Sequence, residues 1–342
     1  MSELRFAIIG CGFWARYQLA AWRELAGARC IAVCDIERGK AEKLAAKFGV
    51  PAAYGTAHEL FEREKLDFVD IITDASTHTA FVEMAAGHRL PVICQKPMAV
   101  DLHLAKMMVA GCNRMGVPFA VHENWRWQTP IRELKRALDS NVIGRVFRAR
   151  IDYCNSFPVF DNQPFLKQLD QFILTDMGSH ILDTARFLFG EARTLWCQTH
   201  RVHRDIQGED AATVMMGMQS GATVTCNLSY ASRLGNERFP ETFVLVEGEN
   251  GSIELAPDFW LRITTKEGTQ AQRFPPPFFS WADPPYALVH SSIVACNADL
   301  LRALQTKTPA ETSGEDNLKT MELVFAAYDS ANTARVITLT DY

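Results

Sequence analysis

The segment Gly10-Cys11-Gly12-Phe13-Trp14-Ala15 follows a short apolar run, Phe6 to Ile9, and opens a stretch that reads as a helix, Ala15 to Leu25. Glycines at such a junction let the backbone turn sharply and approach a pyrophosphate, whose charge the free N–H groups of the first helical turn can meet. Asp35 closes the next apolar run, Arg29 to Cys34, and stands 35 − 12 = 23 residues after Gly12. A carboxylate there can accept both ribose hydroxyls of an adenosine. Gly10, Gly12, Phe13, Trp14 and Asp35 are therefore expected against a dinucleotide. The charge of Asp35 would repel a 2′-phosphate and favours NAD over NADP, while Arg38 leaves a dual preference open. An ordinary strand-to-helix turn, with Asp35 as a capping residue, is the plain alternative.

Asp176 and His180 form a second set, four residues apart on a stretch that reads as a helix from Thr175 to Phe189. They share one face, while Met177, Ile181, Ala185 and Leu188 line another that can pack inward. A hydroxyl that gives up a hydride must also lose a proton, which calls for a base with a pKa near the working pH. An imidazole titrates near ~6.5 unaided, whereas a lysine amine must be brought down from about 10.4 by its surroundings. His180, and Lys96 in Cys94-Gln95-Lys96-Pro97, are the candidate bases. Taken singly, the first would read as a helix histidine satisfied by a neighbour and the second as a solvated loop lysine. Asp183 reads as mainly structural.

These residues need a scaffold. Apolar runs at Phe6 to Ile9, Arg29 to Cys34, Phe68 to Ile72, Val92 to Gln95 and Phe119 to Val121 alternate with helical stretches at Ala15 to Leu25, Arg38 to Phe48, Ala57 to Glu64, Thr79 to Ala86 and from Asp101 to Met115. Such alternation predicts a doubly wound parallel sheet of the Rossmann kind. After Pro130 strands follow strands: Val146 to Tyr153, Leu195 to Val202, Ala211 to Met218, Ala222 to Tyr230, Phe243 to Glu247 and Ser252 to Leu255. Short turns between them predict an α+β domain with a large, mostly antiparallel open sheet, carrying helices at Thr175 to Phe189, Leu288 to Gln305 and Glu315 to Ala331. The expected division is 1–124, NAD-binding, and 125–342, substrate-binding and oligomerising, as suits a chain of 342 residues.

Composition narrows the partners. Thirty-five Lys and Arg against forty Asp and Glu give a net charge of −5, so no basic field exists to hold a nucleic acid. Nine cysteines without zinc-ligand spacing read as reduced thiols in the cytoplasm, and no metal is expected. No signal peptide and no membrane span are read.

Cys94-Gln95-Lys96-Pro97 and Asp176-Met177-Gly178-Ser179-His180-Ile181-Leu182-Asp183, taken with the N-terminal turn, closely resemble the glucose-fructose oxidoreductase, inositol dehydrogenase and rhizopine-catabolism (Gfo/Idh/MocA) family. The resemblance runs down to Thr312-Ser313-Gly314-Glu315-Asp316. In that family a Glu-Lys-Pro triplet supplies a catalytic lysine, a role that falls on Lys96, with Gln95 in place of the glutamate. An Asp-x-x-x-His pattern falls on Asp176 and His180. The family's Thr-Pro-Asn-x-x-His pattern is met at Thr73 and His78, with Asp74-Ala75 replacing Pro-Asn. Its Asn-x-Arg segment falls on Asn124 and Arg126 within His122-Glu123-Asn124-Trp125-Arg126-Trp127. Cofactor contacts are thereby implied for Thr73, His78, Gln95, Lys96, Asn124 and Arg126, and substrate contacts for Lys96, Trp125, Asp176 and His180. Asn155 is added as a substrate contact, and Phe160, Asp161, Gln163, Trp281 and His290 lie in or near loops that could furnish others.

The expected activity is NAD-dependent oxidation of one hydroxyl of a sugar or polyol: hydride to the nicotinamide, the substrate proton to His180, Lys96 polarising the hydroxyl and relaying protons, Asp176 orienting one of them. Gln-Lys-Pro with His-Glu-Asn-Trp-Arg-Trp is similar to the branch holding D-apiose dehydrogenases, aldose C1 oxidisers that yield lactones, beside inositol-type oxidation. An NAD-dependent glycosidase and a dinucleotide-binding regulator are the alternatives. A homodimer or homotetramer is expected, since an open sheet leaves a broad face to cover.

Overall fold

The structure, a computed structural model, describes residues 3–339. The first compact unit holds a parallel sheet of six strands in the order β3-β2-β1-β4-β5-β6. Its elements alternate: β1 (Leu4–Ile9), α1 (Ala15–Trp22), β2 (Ala28–Cys34), α2 (Arg38–Phe48), β3 (Ala52–Tyr54), α3 (Ala57–Arg63), β4 (Phe68–Ile71), α4 (Ala75–Gly87), β5 (Val92–Gln95), α5 (Leu102–Met115) and β6 (Phe119–His122). Strands buried on both faces need continuous apolar runs, and Phe6 to Ile9 are at most 1% exposed. Phe6 stacks on Phe68 at 4.8 Å and meets Trp22 of α1 at 5.1 Å, which locks the first helix onto the sheet.

The strand order reverses beside β1, which pairs with β2 on one edge and β4 on the other. Crevices outside the carboxyl ends of strands at such a switch point are where open α/β sheets bind ligands. Gly10 ends β1 at this point. Burial pushes the Cys11 thiol up to about 12 and Cys34 to about 11, so these cysteines are inert packing groups at neutral pH.

The second unit carries nine strands in the order β14-β13-β12-β11-β7-β10-β9-β8-β15. After a 3-10 turn at Trp125–Trp127, α6 (Thr129–Asp139) leads to β7 (Val146–Cys154), a one-turn α7 (Val159–Asn162) and α8 (Ser179–Phe189). The remaining strands are β8 (Ala192–His200), β9 (Ala211–Met218), β10 (Thr223–Ser229), β11 (Phe243–Gly248), β12 (Gly251–Ala256), β13 (Trp260–Thr265), β14 (Gly268–Arg273) and β15 (Ile337–Thr338). Pairing is antiparallel except between β7 and β10. Two long helices, α9 (Ala287–Thr306) and α10 (Gly314–Thr333), follow β14.

By its contacts the chain changes unit between Asn124 and Trp125, and not all of residues 125–342 fall in the second unit. Phe279–Ala282 and Ile293–Met321 belong to the first unit. The physical reason lies at β6: Val121 N donates to Thr312 O at 2.9 Å, Thr312 Oγ1 donates to Val121 O at 2.7 Å, and Ala120 bridges Ser313. Ile293 packs with Tyr17 and Ala21 of α1, and Trp281 lies against that cluster.

Candidate active site

The glycine turn fits a dinucleotide. A Cβ at Gly10, whose φ is +96°, would stand 2.4 Å from the Ile72 carbonyl oxygen, so β1 and the strand beside it close up only over glycine. At Gly12 nothing lies within 4 Å of such a Cβ, leaving the backbone open to a ligand. No side chain caps the N-terminus of α1, the end of a helix whose dipole favours an anion. Asp35 Oδ2 accepts from Cys11 N at 2.8 Å and Oδ1 from Glu37 N at 2.8 Å. Each oxygen retains acceptor capacity for a hydroxyl. Phe13 is 45% exposed at the turn and edges onto Tyr17. Arg38 pairs with Glu42 of its own helix at 3.0 Å.

Asp74 explains why α4 starts four residues before the expected Thr79: Oδ1 accepts from Ser76 N at 2.9 Å and from Ser76 Oγ at 2.7 Å, an N-cap. Those bonds hold its carboxyl below the usual range. His78 lies within the helix and is fully buried. Its Nδ1 is 3.1 Å from Pro97 O and 3.2 Å from Met98 O, and its Nε2 is 3.2 Å from Thr73 O. Burial lowers its pKa. This ring ties the loop after β4 to the loop that carries Lys96. Thr73 turns its side chain to Thr77 at 2.8 Å.

Gln95 also faces inward. Its Nε2 donates to Gln18 Oε1 and lies 3.1 Å from His122 Nδ1, while its Oε1 accepts from Lys96 N at 3.2 Å. His122 Nε2 reaches Asn297 Oδ1 at 3.0 Å. Gln18 Nε2 donates to both oxygens of Asp70 at 2.8 Å, and Trp22 Nε1 donates to Oδ2 at 2.8 Å. All are buried. A carboxylate at position 95 would set acceptor against acceptor at Gln18, so an amide is what this chain of bonds requires. Gln18, Asp70 and Asn297 were not singled out in the sequence, and His122 stood there only as the first residue of the His-Glu-Asn-Trp-Arg-Trp segment. The available signal was an Asp inside Phe68-Val69-Asp70-Ile71, a charge where a buried strand has none.

Burial pushes the Asp70 carboxyl up to about 7, against the opposing pull of its Trp22 and Gln18 donors. An acid whose native pKa lies above its unfolded value binds its proton more tightly when folded. Its contribution is full below about pH 4 and is lost as pH rises through about 7. Urea unfolding at pH 5 and pH 8 should show the wild type losing more stability over that interval than Asp70→Asn. Equal losses would remove Asp70 as the titrating group.

In the second unit, Asp176 sits on a π-helical turn, Leu174–Gly178, that runs directly into α8. Sequence spacing predicts regular α-helix here; the extra residue per turn re-aims side chains, a distortion found frequently at functional sites. His180 is 5% exposed and stacks on Trp125 at 4.7 Å and 25°. Trp125 Nε1 donates to Thr242 Oγ1 at 2.9 Å. Asn155, 1% exposed, accepts at Oδ1 from Phe157 N at 3.1 Å.

Arg126 departs from expectation. Its Nε and Nη2 donate to Asp183, at 2.7 and 2.5 Å, with both side chains buried. Two of the guanidinium nitrogens that were expected at the cofactor thus bind Asp183 of α8. Asn124 is 3% exposed and belongs to the first unit. Phe160 and Asp161 line a cavity of about 230 Å³ with Phe157, Lys167, His203 and Tyr230. Gln163 is not among its lining residues. Trp281 donates to Glu24 at 2.8 Å in the first unit, and buried His290 accepts from Asp283 N at 3.1 Å while stacking on Tyr286.

Two family models match: "Oxidoreductase family, NAD-binding Rossmann fold" over residues 4–123 and "GFO/IDH/MocA C-terminal domain" over residues 131–254. A D-apiose dehydrogenase of Rhizobium rhizogenes is 42% identical over 98% of this chain and 98% of its own. One of Paraburkholderia graminis is 42% identical over 99% of this chain and 90% of its own. A crystal structure of an oxidoreductase from Agrobacterium radiobacter in complex with NAD+, L-tartaric acid and magnesium superposes with a TM-score of 0.98, at 42% identity, over 99% of each chain.

Proposed function

The chain belongs to the GFO/IDH/MocA oxidoreductase family and is an NAD-dependent sugar dehydrogenase; from that premise we propose that it oxidises the C1 hydroxyl of an aldose, D-apiose first among them, to the lactone. The observation that carries this reading is the near full-length similarity to two D-apiose dehydrogenases. Inositol-type oxidation of a ring hydroxyl is the second substrate class to test.

When bound, NAD accepts the hydride. We assign its binding to the first unit: Gly10, Gly12, Phe13 and Trp14 at the turn, Asp35 at the adenosine hydroxyls, and the Thr73, Lys96 and Asn124 segments at the strand ends. Asp35 supports NAD over NADP, because its carboxylate is pinned by two backbone N–H groups and cannot swing away from a 2′-phosphate. His78 and Gln95 act as positioning residues for the Lys96 loop.

Substrate binding is assigned to the second unit, through Trp125, Asn155, Asp176 and His180. His180 takes the hydroxyl proton on its imidazole, Asp176 orients the group that receives it, and Lys96 polarises the hydroxyl and passes the proton on. Nine free cysteines, most of them buried, support a reducing compartment, the cytoplasm. No described helix is long and apolar enough to cross a membrane.

The test is NADH absorbance with purified protein, NAD or NADP, and a panel of aldoses, inositols and polyols. Sugar-dependent NADH with aldoses supports the proposal. Activity confined to inositols overturns the C1 assignment, and cofactor binding without net NADH moves the assignment to a glycosidase or regulator.

Phe147 and Met215, on β7 and β9 of the open sheet, are 48% and 46% exposed. We assign that face to self-association, as a dimer or tetramer. Size-exclusion light scattering should give a mass of two or four chains, and a monomer at micromolar concentration would rule this out.

A further inference from the structure

β7 sends alternate residues, Ala149, Ile151 and Tyr153, to its buried face, and Asn155 just past the strand is buried as well. Tyr153 is 0% exposed, and its ring meets Trp125 edge-on at 5.6 Å and Tyr230 edge-on at 5.9 Å. Trp125 is the residue that stacks on His180. Asn155 is held rigidly: its N donates to Ser229 O at 2.9 Å, its O accepts from Ser232 N at 3.0 Å, and its Oδ1 accepts from Phe157 N. That last bond fixes which end of the amide points outward, namely Nδ2.

Two buried donors, Tyr153 O–H and Asn155 Nδ2, complete no well-formed hydrogen bond among the described residues, although the Tyr153 hydroxyl lies beside the Asn155 and Tyr230 side chains. Native proteins leave very few such groups. Here two occur two residues apart, beside Trp125 and with the Asp176 carboxylate in the electrostatic surroundings of the Tyr153 hydroxyl.

We propose that Tyr153 is a substrate-binding residue whose hydroxyl, with Nδ2 of Asn155, donates to an oxygen of the sugar next to the reacting carbon. The proposal rests on the sugar-dehydrogenase reading and extends it to specificity. An oxygen with two lone pairs satisfies both donors, and its own hydrogen finds an acceptor in Asp176. That combination selects a neutral hydroxyl over a carboxylate, which Asp176 would repel. A site built to hydrogen-bond a hydroxyl discriminates against analogues that lack it.

Tyr153→Phe is the test, because it deletes one oxygen and keeps the ring. Removing such a buried hydroxyl does not cost the fold a well-formed hydrogen bond, so the thermal midpoint should hold or rise. In steady-state assays with the best aldose of the panel, kcat/KM should fall roughly 10- to 100-fold, with KM for NAD unchanged. The ratio of kcat/KM between that aldose and one of its 2-deoxy and 3-deoxy analogues should collapse toward one. Unchanged kcat/KM and an unchanged ratio overturn the proposal alone, as does a lowered midpoint, which would make the hydroxyl structural. Wild-type protein that forms no NADH with any sugar overturns the dehydrogenase reading and this proposal together.

Discussion

Alanine at position 96 is expected to lower the rate of NADH formation about a thousand-fold while the protein still folds and binds NAD. Lys96 follows β5 at the carboxyl edge of the parallel sheet. The backbone there is anchored from both sides: Lys96 N donates to Gln95 Oε1, and His78 holds the carbonyls of Pro97 and Met98. Truncating the side chain leaves those anchors in place, so loss of rate with a retained thermal midpoint and retained NADH binding isolates chemistry from structure. Arginine at the same position sharpens the assignment. A guanidinium keeps the charge but does not give up a proton at working pH, so Lys96→Arg should recover part of the rate if the amine only polarises the hydroxyl and none if it relays the proton. His180→Ala should lose roughly 10²- to 10⁴-fold, mainly in kcat. Turnover within a few-fold of wild type in both Lys96→Ala and His180→Ala would end the assignment of proton handling to these residues.

The alternation of apolar runs and helices was enough to anticipate the doubly wound parallel sheet, because strands buried on both faces must be apolar throughout. Where that constraint is absent, the sequence carries little. Every residue of β14 is exposed and it pairs only with β13 at the sheet edge, so Gly268 to Arg273 has no hydrophobic signature to read. The return of residues 293–321 to the first unit depends on Thr312 and Asn297 meeting β6, contacts nearly two hundred residues apart in sequence. The turn at Gly10 and the place of Asp35 after β2 were readable because each depends on conformation or charge at one place in the chain. The inward bonds of Gln95 and His78 could not be read from their motifs, because a motif fixes where a side chain starts but not which way it points. Tyr153 gave no signal, since a tyrosine in a strand is ordinary until its hydroxyl proves to be buried without a well-formed hydrogen bond.

Asp183→Ala should destabilise the protein by about 3–5 kcal/mol. Asp183 is fully buried in α8, and its two oxygens accept from Nε and Nη2 of Arg126. The guanidinium is also 5.4 Å from the Phe187 ring. Removing the carboxylate strands a positive charge in a site that water does not reach, and that uncompensated charge is the main cost. Asp183→Asn should lose less, because its amide oxygen still accepts from the guanidinium. The double variant Arg126→Ala with Asp183→Ala removes both charges, so it should be more stable than the sum of the two single losses implies, with a coupling of up to about 3 kcal/mol in urea unfolding. Additive losses would mean that the pair does not act as a unit. NADH affinity separates the remaining roles for Arg126: with Nε and Nη2 held by Asp183, the double variant should bind NADH nearly as well as the wild type, whereas a ten-fold or greater loss would assign the guanidinium to the cofactor.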